Sequence, residues 1–174
     1  IPYVMTETRH VAGDALVMSA TGSGKTLAFG LPCVMHTDTN NYKPQTIIIT
    51  PTRELAEQIA VELRKIAAYK SNLKILTLYG GVPLRAQAES LAKGSHILIG
   101  TPGRIQDHLA KETLVLGSIK TLVLDEADRM LDMGFIRDVK KIIRRLPRVR
   151  QSLLFSATMP REVADFAAEI LNSP

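Results

Sequence analysis

The sequence predicts an α/β domain, with a mainly parallel sheet covered by helices on both faces. Six short apolar runs of the kind that form strands buried on both faces alternate with stretches of helical periodicity. The chain has 174 residues, of which 45% are hydrophobic and 22% are charged, the composition of a folded globular domain. This length suffices for one domain with a core and is too short for two of ordinary size. We therefore expect a single domain over 1–174.

The predicted strands are β-branched or leucine-rich, and they lie at 15–19, 46–50, 73–79, 96–100, 121–125 and 152–156. The helical period is clearest in the segment that begins at Arg53, whose apolar stripe consists of Leu55, Ile59, Leu63 and Ile66. Strand and helix alternate along the chain. Sheets built in this way bind ligands at the carboxyl ends of their strands, which is where we expect the functional site.

The bulk composition narrows the classes of function. Lys and Arg outnumber Asp and Glu by 22 to 17, which gives a net charge of +5 and a mild bias toward polyanionic partners. The single Cys33 excludes an internal disulfide and, with no signal peptide in view, favours an intracellular location in cytoplasm or nucleus. No apolar run approaches the ~18 residues of a membrane span, so no membrane role is expected. The opening IPYVM, without an initiator Met, suggests a fragment.

A glycine-containing loop follows the first predicted strand, in the stretch SATGSGKTLAF. Its glycines let successive N–H groups point at one anion, its lysine adds a positive charge, and its threonine hydroxyl suits Mg²⁺. The order of strand, turn and helix predicts a phosphate-binding P-loop, formed by Thr21, Gly22, Ser23, Gly24, Lys25 and Thr26. The generic pattern has Gly where this chain has Ser19. A glycine turn with a solvated lysine is the alternative interpretation.

Three carboxylates, Asp125, Glu126 and Asp128, follow the fifth predicted strand. Because closely packed like charges repel, this arrangement predicts a nearby cation or a reaction. Beside a P-loop, Asp125 is placed to hold Mg²⁺ directly or through water, and Glu126 to orient or deprotonate an attacking water. A solvated acidic turn that caps a helix is the alternative.

The stretch DEAD at 125–128 resembles the signature of the DEAD-box RNA helicases. Other motifs of that family stand in the family's order: TGSGKT at 21–26, PTRELA at 51–56, GG at 80–81, TPGR at 101–104, DEADRMLDMGF at 125–135 and FSATMP at 155–160. The resemblance covers essentially the whole chain. It implies the first, N-terminal RecA-like domain of an ATP-dependent RNA helicase, a three-layer P-loop fold that uses ATP and Mg²⁺.

The resemblance also implies roles for individual residues. Lys25 and Thr26 would bind phosphates and Mg²⁺, Asp125 the metal, and Glu126 would act as the catalytic base. Asp128 would meet Ser156 or Thr158 and link hydrolysis to RNA engagement. Single-stranded or duplex RNA would be bound by Pro51, Thr52, Arg53, Glu54, Gly80, Gly81, Thr101, Pro102, Gly103 and Arg104. Contacts of this kind, to the sugar-phosphate backbone, carry no base information, so binding independent of sequence is expected.

The same RNA motifs have plainer interpretations when they are considered without the family. TPGR places Thr101 at the predicted N-cap, Pro102 at the first helical position and Arg104 in the first turn, so free N–H groups and a guanidinium are available to a phosphate. Taken alone, TPGR is better explained as an ordinary helix start. PTRELA also fits a helix start, and GG fits a tight turn with positive φ.

The chain departs from the family pattern in several places. The upstream aromatic and glutamine that read adenine are absent, and the link at 3–12 is longer than usual and suggests an irregular loop. Ser19 and Ala20 stand where the family more often has Ala and Gln. The second RecA-like domain, an expected partner with its arginine fingers, is also missing, and losing an arginine finger costs ~10³ to 10⁵ in rate. We expect the chain alone to bind nucleotide weakly and to hydrolyse it barely. Protein cofactors are further candidate partners.

A basic segment occupies 137–150. Its predicted buried stripe is Phe135, Val139, Ile142, Ile143 and Leu146, and the opposite face carries Arg137, Lys140, Lys141, Arg144 and Arg145. A solvated face is the simpler interpretation, and an additional RNA or partner contact is the alternative.

Two rival functions remain open. A DNA-directed helicase or another NTPase shares the P-loop, although the lack of an N-K-x-D signature disfavours a GTPase. A non-enzymatic docking module is the rival from another class, and the intact set Lys25, Thr26, Asp125 and Glu126 argues against it.

Overall fold

A computed structural model describes residues 13–20, 23–172 and 174. Within them lies a six-stranded sheet whose strands, in chain order, are β1 (Ala15–Met18), β2 (Thr46–Ile49), β3 (Ile75–Leu78), β4 (Ile97–Gly100), β5 (Thr121–Leu124) and β6 (Gln151–Ser156). Their spatial order is β1-β6-β5-β2-β4-β3, and every neighbouring pair is parallel. All six predicted strands are confirmed, with ends that differ by up to two residues.

The described helices connect these strands. They are α1 (Lys25–His36), α2 (Arg53–Ile66), α3 (Leu84–Ala92), α4 (Pro102–Ala110), α5 (Ala127–Asp132), α6 (Ile136–Ile143) and α7 (Arg161–Ile170). A short 3₁₀ turn at Ala67–Tyr69 continues α2. None of these helices is long and apolar enough to cross a membrane.

Two apolar clusters cover the two faces of the sheet. One contains buried residues of α1 and α2, and the other contains buried residues of α4 to α7. Successive strand residues join opposite clusters, as Ile47 and Ile48 do on β2, because side chains alternate across a strand. The predicted three-layer α/β fold is therefore confirmed.

The expectation of burial on both faces holds for the interior strands, holds in part for the edge strand β3, whose residues are buried or half-buried, and is wrong for the edge strand β1. All four residues of β2 and of β4 are buried. On β1, by contrast, Leu16 and Met18 are exposed to 39% and 61%. An edge strand has a neighbour on one side only, and on β1 the face of Ala15 and Val17 packs against the cluster of α1 and α2 while the face of Leu16 and Met18 is left open.

Candidate functional site

The parallel sheet brings the ends of all six strands to one edge. The P-loop follows β1, Ser156 ends β6, and Asp125 follows β5. On the other half of the same edge, Pro51 closely follows β2, Thr101 follows β4, and Gly80 closely follows β3. The strand order thus separates the residues predicted to bind phosphate and metal from those predicted to bind RNA, and the two sets meet between β5 and β2.

The P-loop leads directly into α1. Gly24 is the N-cap of this helix and has φ of 84°, a backbone conformation that glycine adopts at little cost. The hydroxyls of Ser19 and Ser23 are hydrogen-bonded across the loop, and Ser19 N donates to Ser156 O at 3.0 Å. The serine at the generic glycine position therefore contacts both Ser23 and the end of β6. Thr21 and Gly22 lie outside the described residues.

Lys25 is the first residue of α1, and its Nζ is buried without a hydrogen-bond partner among the described residues. It lines a pocket of about 540 Å³ between the start of α1, one side of α2 and the end of β5. The polar lining at the strand end consists of Lys25, Thr26, Asp125 and Glu126. A buried ammonium without a partner is costly, so this position favours an anionic ligand.

Asp125 is a buried carboxylate at the centre of this edge. It is 5% exposed, and its amide donates to Ile49 O at 3.0 Å, which extends the β5 ladder by one residue. Burial raises the pKa of Asp125 to about 6, the positive charge of Lys25 partly offsets this rise, and the negative charge of Glu126 adds to it. A nearby cation would stabilise the ionised carboxylate.

Glu126 adopts a left-handed backbone conformation, with φ of 55° and ψ of 54°, at the N-cap of α5. Its amide donates to Asp125 Oδ1 at 3.0 Å, and its carboxylate pairs with Arg129 at 3.3 Å. A non-glycine residue in this region is uncommon, and such strain is concentrated at functional sites. The turn holds the carboxylates of Asp125 and Glu126 at the same pocket.

Asp128 connects α5 to the segment after β6. Its Oδ2 accepts hydrogen bonds from the amide of Thr158 at 2.9 Å and from the Thr158 hydroxyl at 2.8 Å. Its amide donates to Ser156 Oγ at 3.1 Å, and the Ser156 hydroxyl donates to Thr158 O at 2.7 Å. Burial alone would raise the pKa of Asp128, but the hydrogen bonds from Thr158 and the Arg129 amide outweigh it and lower the pKa.

The PTRELA and GG motifs lie side by side on the other half of the edge. Thr52 is the N-cap of α2, and its side chain accepts a hydrogen bond from Leu55 N at 3.3 Å. The Arg53 guanidinium lies 4.9 Å from the centre of the Tyr79 ring, and a Cβ on Gly81 would come within 3.0 Å of its Nη1. Gly81 also has φ of 84°. Glycine at this position therefore leaves room for Arg53.

The exposure of the predicted RNA residues is mixed. Glu54, Gly80, Gly81 and Gly103 are exposed, whereas Pro51 and Pro102 are buried. Thr101 and Pro102 are the N-cap and first residue of α4, as expected from the sequence, although the Thr101 side chain makes no capping hydrogen bond in this part of the chain. The side chains of these two prolines are therefore not available to a ligand, and a contact at these positions would involve the backbone of neighbouring residues.

Arg104 belongs to a buried network that the sequence reasoning missed. Its Nη1 donates to Val82 O at 2.7 Å and to Gln87 Oε1 at 2.8 Å. Gln87 Oε1 also lies 3.1 Å from His108 Nε2, and Gln87 Nε2 donates to Tyr79 O at 3.2 Å. The guanidinium is therefore held against the GG turn. A glutamine on the apolar face of α3 was the only signal available in the sequence.

These residues fit a Mg²⁺-bound phosphate group. The unpartnered Lys25 Nζ supplies a positive charge, and the hydroxyl of Thr26 and the carboxylate of Asp125 are oxygen ligands of the type that Mg²⁺ takes. The positive φ of Gly24 lets the loop turn into the helix start, where backbone N–H groups are free.

Comparison with known proteins identifies the family. The family model described as DEAD/DEAH box helicase matches residues 2–166. The chain is 48% identical over 161 residues to the ATP-dependent RNA helicase DbpA of Escherichia coli strain K12, a match that covers 92% of this chain and 35% of that protein. It is also 48% identical over 174 residues to the ATP-dependent RNA helicase CshA of Limosilactobacillus reuteri, covering 100% of this chain and 34% of that protein. The chain thus spans about a third of the length of these relatives.

Solved structures agree with this assignment. A DEAD box protein from the hyperthermophile Methanococcus jannaschii superposes with a TM-score of 0.88 at 44% identity, over 92% of this chain and 44% of that one. A yeast DEAD-box splicing factor superposes with a TM-score of 0.91 at 35% identity, over 99% of this chain and 42% of that one. The chain belongs to the DEAD/DEAH box helicase family.

Proposed function

We propose that this chain is the ATP-binding part of an ATP-dependent RNA helicase. The observation that carries the proposal is the pocket in which a buried, unpartnered Lys25 Nζ lies with Thr26, Asp125 and Glu126. This combination suits the phosphates of a nucleotide and a divalent cation, and it stands at the carboxyl edge of a parallel sheet.

Each residue of the pocket has a separate role in the transfer of a phosphoryl group to water. Lys25 and the P-loop residues Thr21, Gly22, Ser23 and Gly24 bind the phosphates, and Thr26 and Asp125 bind Mg²⁺ directly or through water. Bound Mg²⁺ neutralises charge on the phosphate oxygens. The Glu126 carboxylate accepts the proton of the attacking water, and it lines the same pocket as Asp125, whose Oδ1 accepts a hydrogen bond from the Glu126 amide.

RNA is bound along the β2-β4-β3 half of the edge. The proposed contacts are those of Pro51, Thr52, Arg53, Glu54, Gly80, Gly81, Thr101, Pro102, Gly103 and Arg104. The starts of α2 and α4 offer N–H groups to phosphates, and Arg53 adds a positive charge. These contacts read no bases, so binding is independent of sequence. Asp128, Ser156 and Thr158 couple this half of the edge to the nucleotide half.

Unwinding or remodelling of RNA belongs to the longer protein. A second RecA-like domain of the same protein would supply the arginine fingers and the other half of the RNA groove, and protein cofactors would act on the pair. Because an arginine finger is worth ~10³ to 10⁵ in rate, this chain alone would bind Mg·ATP and hydrolyse it barely.

The nucleotide site is tested by the binding of a fluorescent ATP analogue with Mg²⁺ to the wild-type chain, Lys25→Met and Glu126→Gln. We expect Lys25→Met to lose at least tenfold in affinity and Glu126→Gln to stay within about threefold, because Glu126 acts on water rather than on phosphate. Phosphate release with and without single-stranded RNA completes the test. Equal binding by the Lys25→Met variant would overturn the assignment.

The RNA site is tested by comparing single-stranded RNA with DNA of the same sequence. We expect tighter binding of RNA, weakened by Arg53→Ala, and a slope of log affinity against log salt of about −0.7 for each phosphate neutralised. A flat salt response would remove the RNA assignment, and stronger binding of DNA would favour the rival DNA-directed helicase.

A further inference from the structure

The positive charge of this chain is concentrated in one short segment. Residues 137–150 contain seven Lys and Arg and one Asp, a formal charge of +6. Because the whole chain has a formal charge of +5, the formal charge of the remaining 160 residues is −1. The basic character of the protein is therefore a local property of α6 and the turn that follows it, outside the proposed ATP and RNA sites.

The fold gathers these cations on one surface. Val139, Ile142 and Leu146 are buried in the apolar cluster, so the basic residues of α6 point away from the sheet. The turn after α6 then adds further cations on the way to β6. We call this surface the basic patch, and its members are Lys140, Lys141, Arg144, Arg145, Arg148 and Arg150.

Two grooves flank the C-terminal end of α6 and run through the basic patch. One, of about 300 Å³, lies between α4 and α6, and Lys141, Arg144 and Arg145 line it. The other, of about 310 Å³, lies between α6 and the end of α7, and Arg144, Arg148 and Arg150 are among its lining residues. Arg144 lines both grooves and joins them into one continuous basic surface.

Few of these charges are neutralised within the described chain. Lys140 pairs with Glu169, and Lys141 pairs with Asp138 at 3.1 Å. The exposed guanidiniums of Arg144, Arg145 and Arg148 make no ion pair with a described carboxylate. Like charges repel one another, so an anion that bound among these guanidiniums would relieve the repulsion.

A structural role at the helix end accounts for only part of the patch. Cations near a helix C-terminus stabilise it by about 0.3 to 1 kcal/mol each, and the effect falls off within the last turn. Arg144 and Arg145 directly follow α6 and benefit from it. Arg150 Nη1 donates to Pro147 O at 2.8 Å, which gives that residue a structural role, but Arg148 lies beyond Pro147, outside that turn, and the helix dipole does not explain it.

We propose that the basic patch is a second RNA-binding surface that contacts the phosphate backbone of RNA flanking the proposed site. The choice of RNA as the polyanion rests on the proposed function. Arginines predominate in the patch, and guanidinium groups match phosphate geometry with paired hydrogen bonds.

The position of α4 indicates that the proposed RNA site and the basic patch lie along the same helix. The N-terminal end of α4 carries the proposed RNA contacts Thr101 to Arg104, and its later residues Gln106 and Leu109 line the first groove. Gln106 Nε2 donates to Asp138 O at 2.9 Å, which fixes α4 against α6. A nine-residue helix is about 13 Å long at ~1.5 Å per residue, so an RNA leaving the proposed site reaches the patch within a few nucleotides.

The test uses Arg144→Gln/Arg145→Gln/Arg148→Gln and a control variant, Lys43→Gln/Arg64→Gln/Lys120→Gln, which removes the same net charge from exposed positions outside both grooves. Binding of a labelled RNA hairpin with a single-stranded tail is measured from 50 to 300 mM salt. We expect the patch variant to lose about 10- to 100-fold in affinity and its log-log slope to shrink by about 2, at ~0.7 per phosphate. The control should stay within about threefold, and Mg·ATP binding should be unchanged in both.

The outcomes separate this proposal from the proposed function. If the patch variant binds RNA as the wild type does while Arg53→Ala binds weakly, the basic patch is not an RNA surface and the proposed function stands. If neither wild type nor variants bind RNA, the RNA part of the proposed function fails and the patch proposal fails with it. If a decaglutamate peptide binds the patch and competes as well as RNA of equal charge, the surface serves an acidic protein segment and the proposal is overturned.

Discussion

Asp128 and Thr158 are joined by two hydrogen bonds to a single carboxylate oxygen, one from the threonine amide at 2.9 Å and one from its hydroxyl at 2.8 Å. The pair links the helix after β5 to the chain after β6. Asp125 and Glu126 immediately precede α5, so the segment after β6 is bonded to the same short helix that follows the pocket lined by Asp125 and Glu126.

Thr158→Val keeps the size of this side chain and the amide bond but removes the hydroxyl donor. We expect unfolding by urea to show a loss of about 1 kcal/mol at pH 7, the usual worth of one hydrogen bond. In a protein that also carries the proposed second RecA-like domain, RNA-stimulated ATP turnover should fall while Mg·ATP affinity stays within about twofold. Thr158→Ser, which retains the hydroxyl, is the matched control. Unchanged turnover in Thr158→Val would argue against a coupling role.

Gln87→Leu tests the network that holds Arg104. The substitution removes the acceptor shared by Arg104 and His108 and the donor to Tyr79 O, and it leaves these groups partly unsatisfied. We expect a loss of about 1 to 3 kcal/mol in unfolding free energy and weaker RNA binding with a normal nucleotide affinity. Glu89→Gln, at an exposed position of the same helix, should change stability by less than about 0.5 kcal/mol.

Gly100→Ala should destabilise the fold through a clash at the end of β4. An added Cβ would lie 2.4 Å from Leu78 O on the neighbouring strand, and that backbone atom has no room to move. Overpacking of this kind typically costs about 1 to 3 kcal/mol. Gly103→Ala is the control, because a Cβ there meets nothing within 4 Å in a helix that favours Ala over Gly. Thermal unfolding should rank Gly103→Ala at or above the wild type, and a stable Gly100→Ala variant would contradict the packing of β3 on β4.

The burial of His108 predicts that the free energy of unfolding depends on pH. Burial, with a further contribution from the charge of Arg104, lowers the pKa of His108 in the folded chain. The unfolded chain therefore binds a proton first, and the stability that neutral His108 contributes above pH ~6.5 is lost as the pH falls, by at most ~1.4 kcal/mol per pH unit.

Urea unfolding between pH 7.5 and 5.5 measures this term as a difference between the wild type and His108→Gln. The stability advantage of the wild type should shrink as the pH falls. Asp125, whose raised pKa of about 6 acts in the opposite direction, contributes equally to both proteins and cancels. A constant difference across the range would show that His108 does not lose stability on protonation.

Cys33 should be unreactive in the folded chain. Burial raises the pKa of its thiol to about 12, so at pH 8 roughly one molecule in 10⁴ carries the thiolate, the reactive form. A colorimetric thiol reagent should label nothing in native buffer and one thiol per chain in denaturant. Rapid labelling of the native chain would show that α1 opens against α2 far more often than the packing implies.

Several features of the fold follow from local sequence pattern. Six apolar runs became six strands because a short β-branched run with no polar break is stable mainly inside a parallel sheet. Val139, Ile142 and Leu146 are buried as the helical period predicts, and Thr52 and Thr101 start their helices as their positions before α2 and α4 predict. Patterns of period 2 and 3.6 report which face of an element is apolar.

The local sequence pattern did not predict the features that depend on neighbouring elements, such as the exposure of a strand or a contact between two helices. The run at 15–19 looks as apolar as the run at 46–50, yet it forms an edge strand with exposed Leu16 and Met18. Position in the sheet is set by the crossover connections, which local periodicity does not encode. Likewise, Arg104 meets Gln87 across seventeen positions of sequence, and only the packing of α3 against α4 reveals the contact.

The sequence by itself determined the fold class, the acidic turn after β5 and the family resemblance, and it predicted the P-loop, because each of these depends on contiguous stretches of residues. The tertiary structure decided that the proposed phosphate and RNA residues share one edge in two separate halves, that Asp128 reaches Thr158, and that the cations of 137–150 form one surface beside two grooves. These relationships arise from the order of strands and the packing of helices, which bring together side chains distant along the chain.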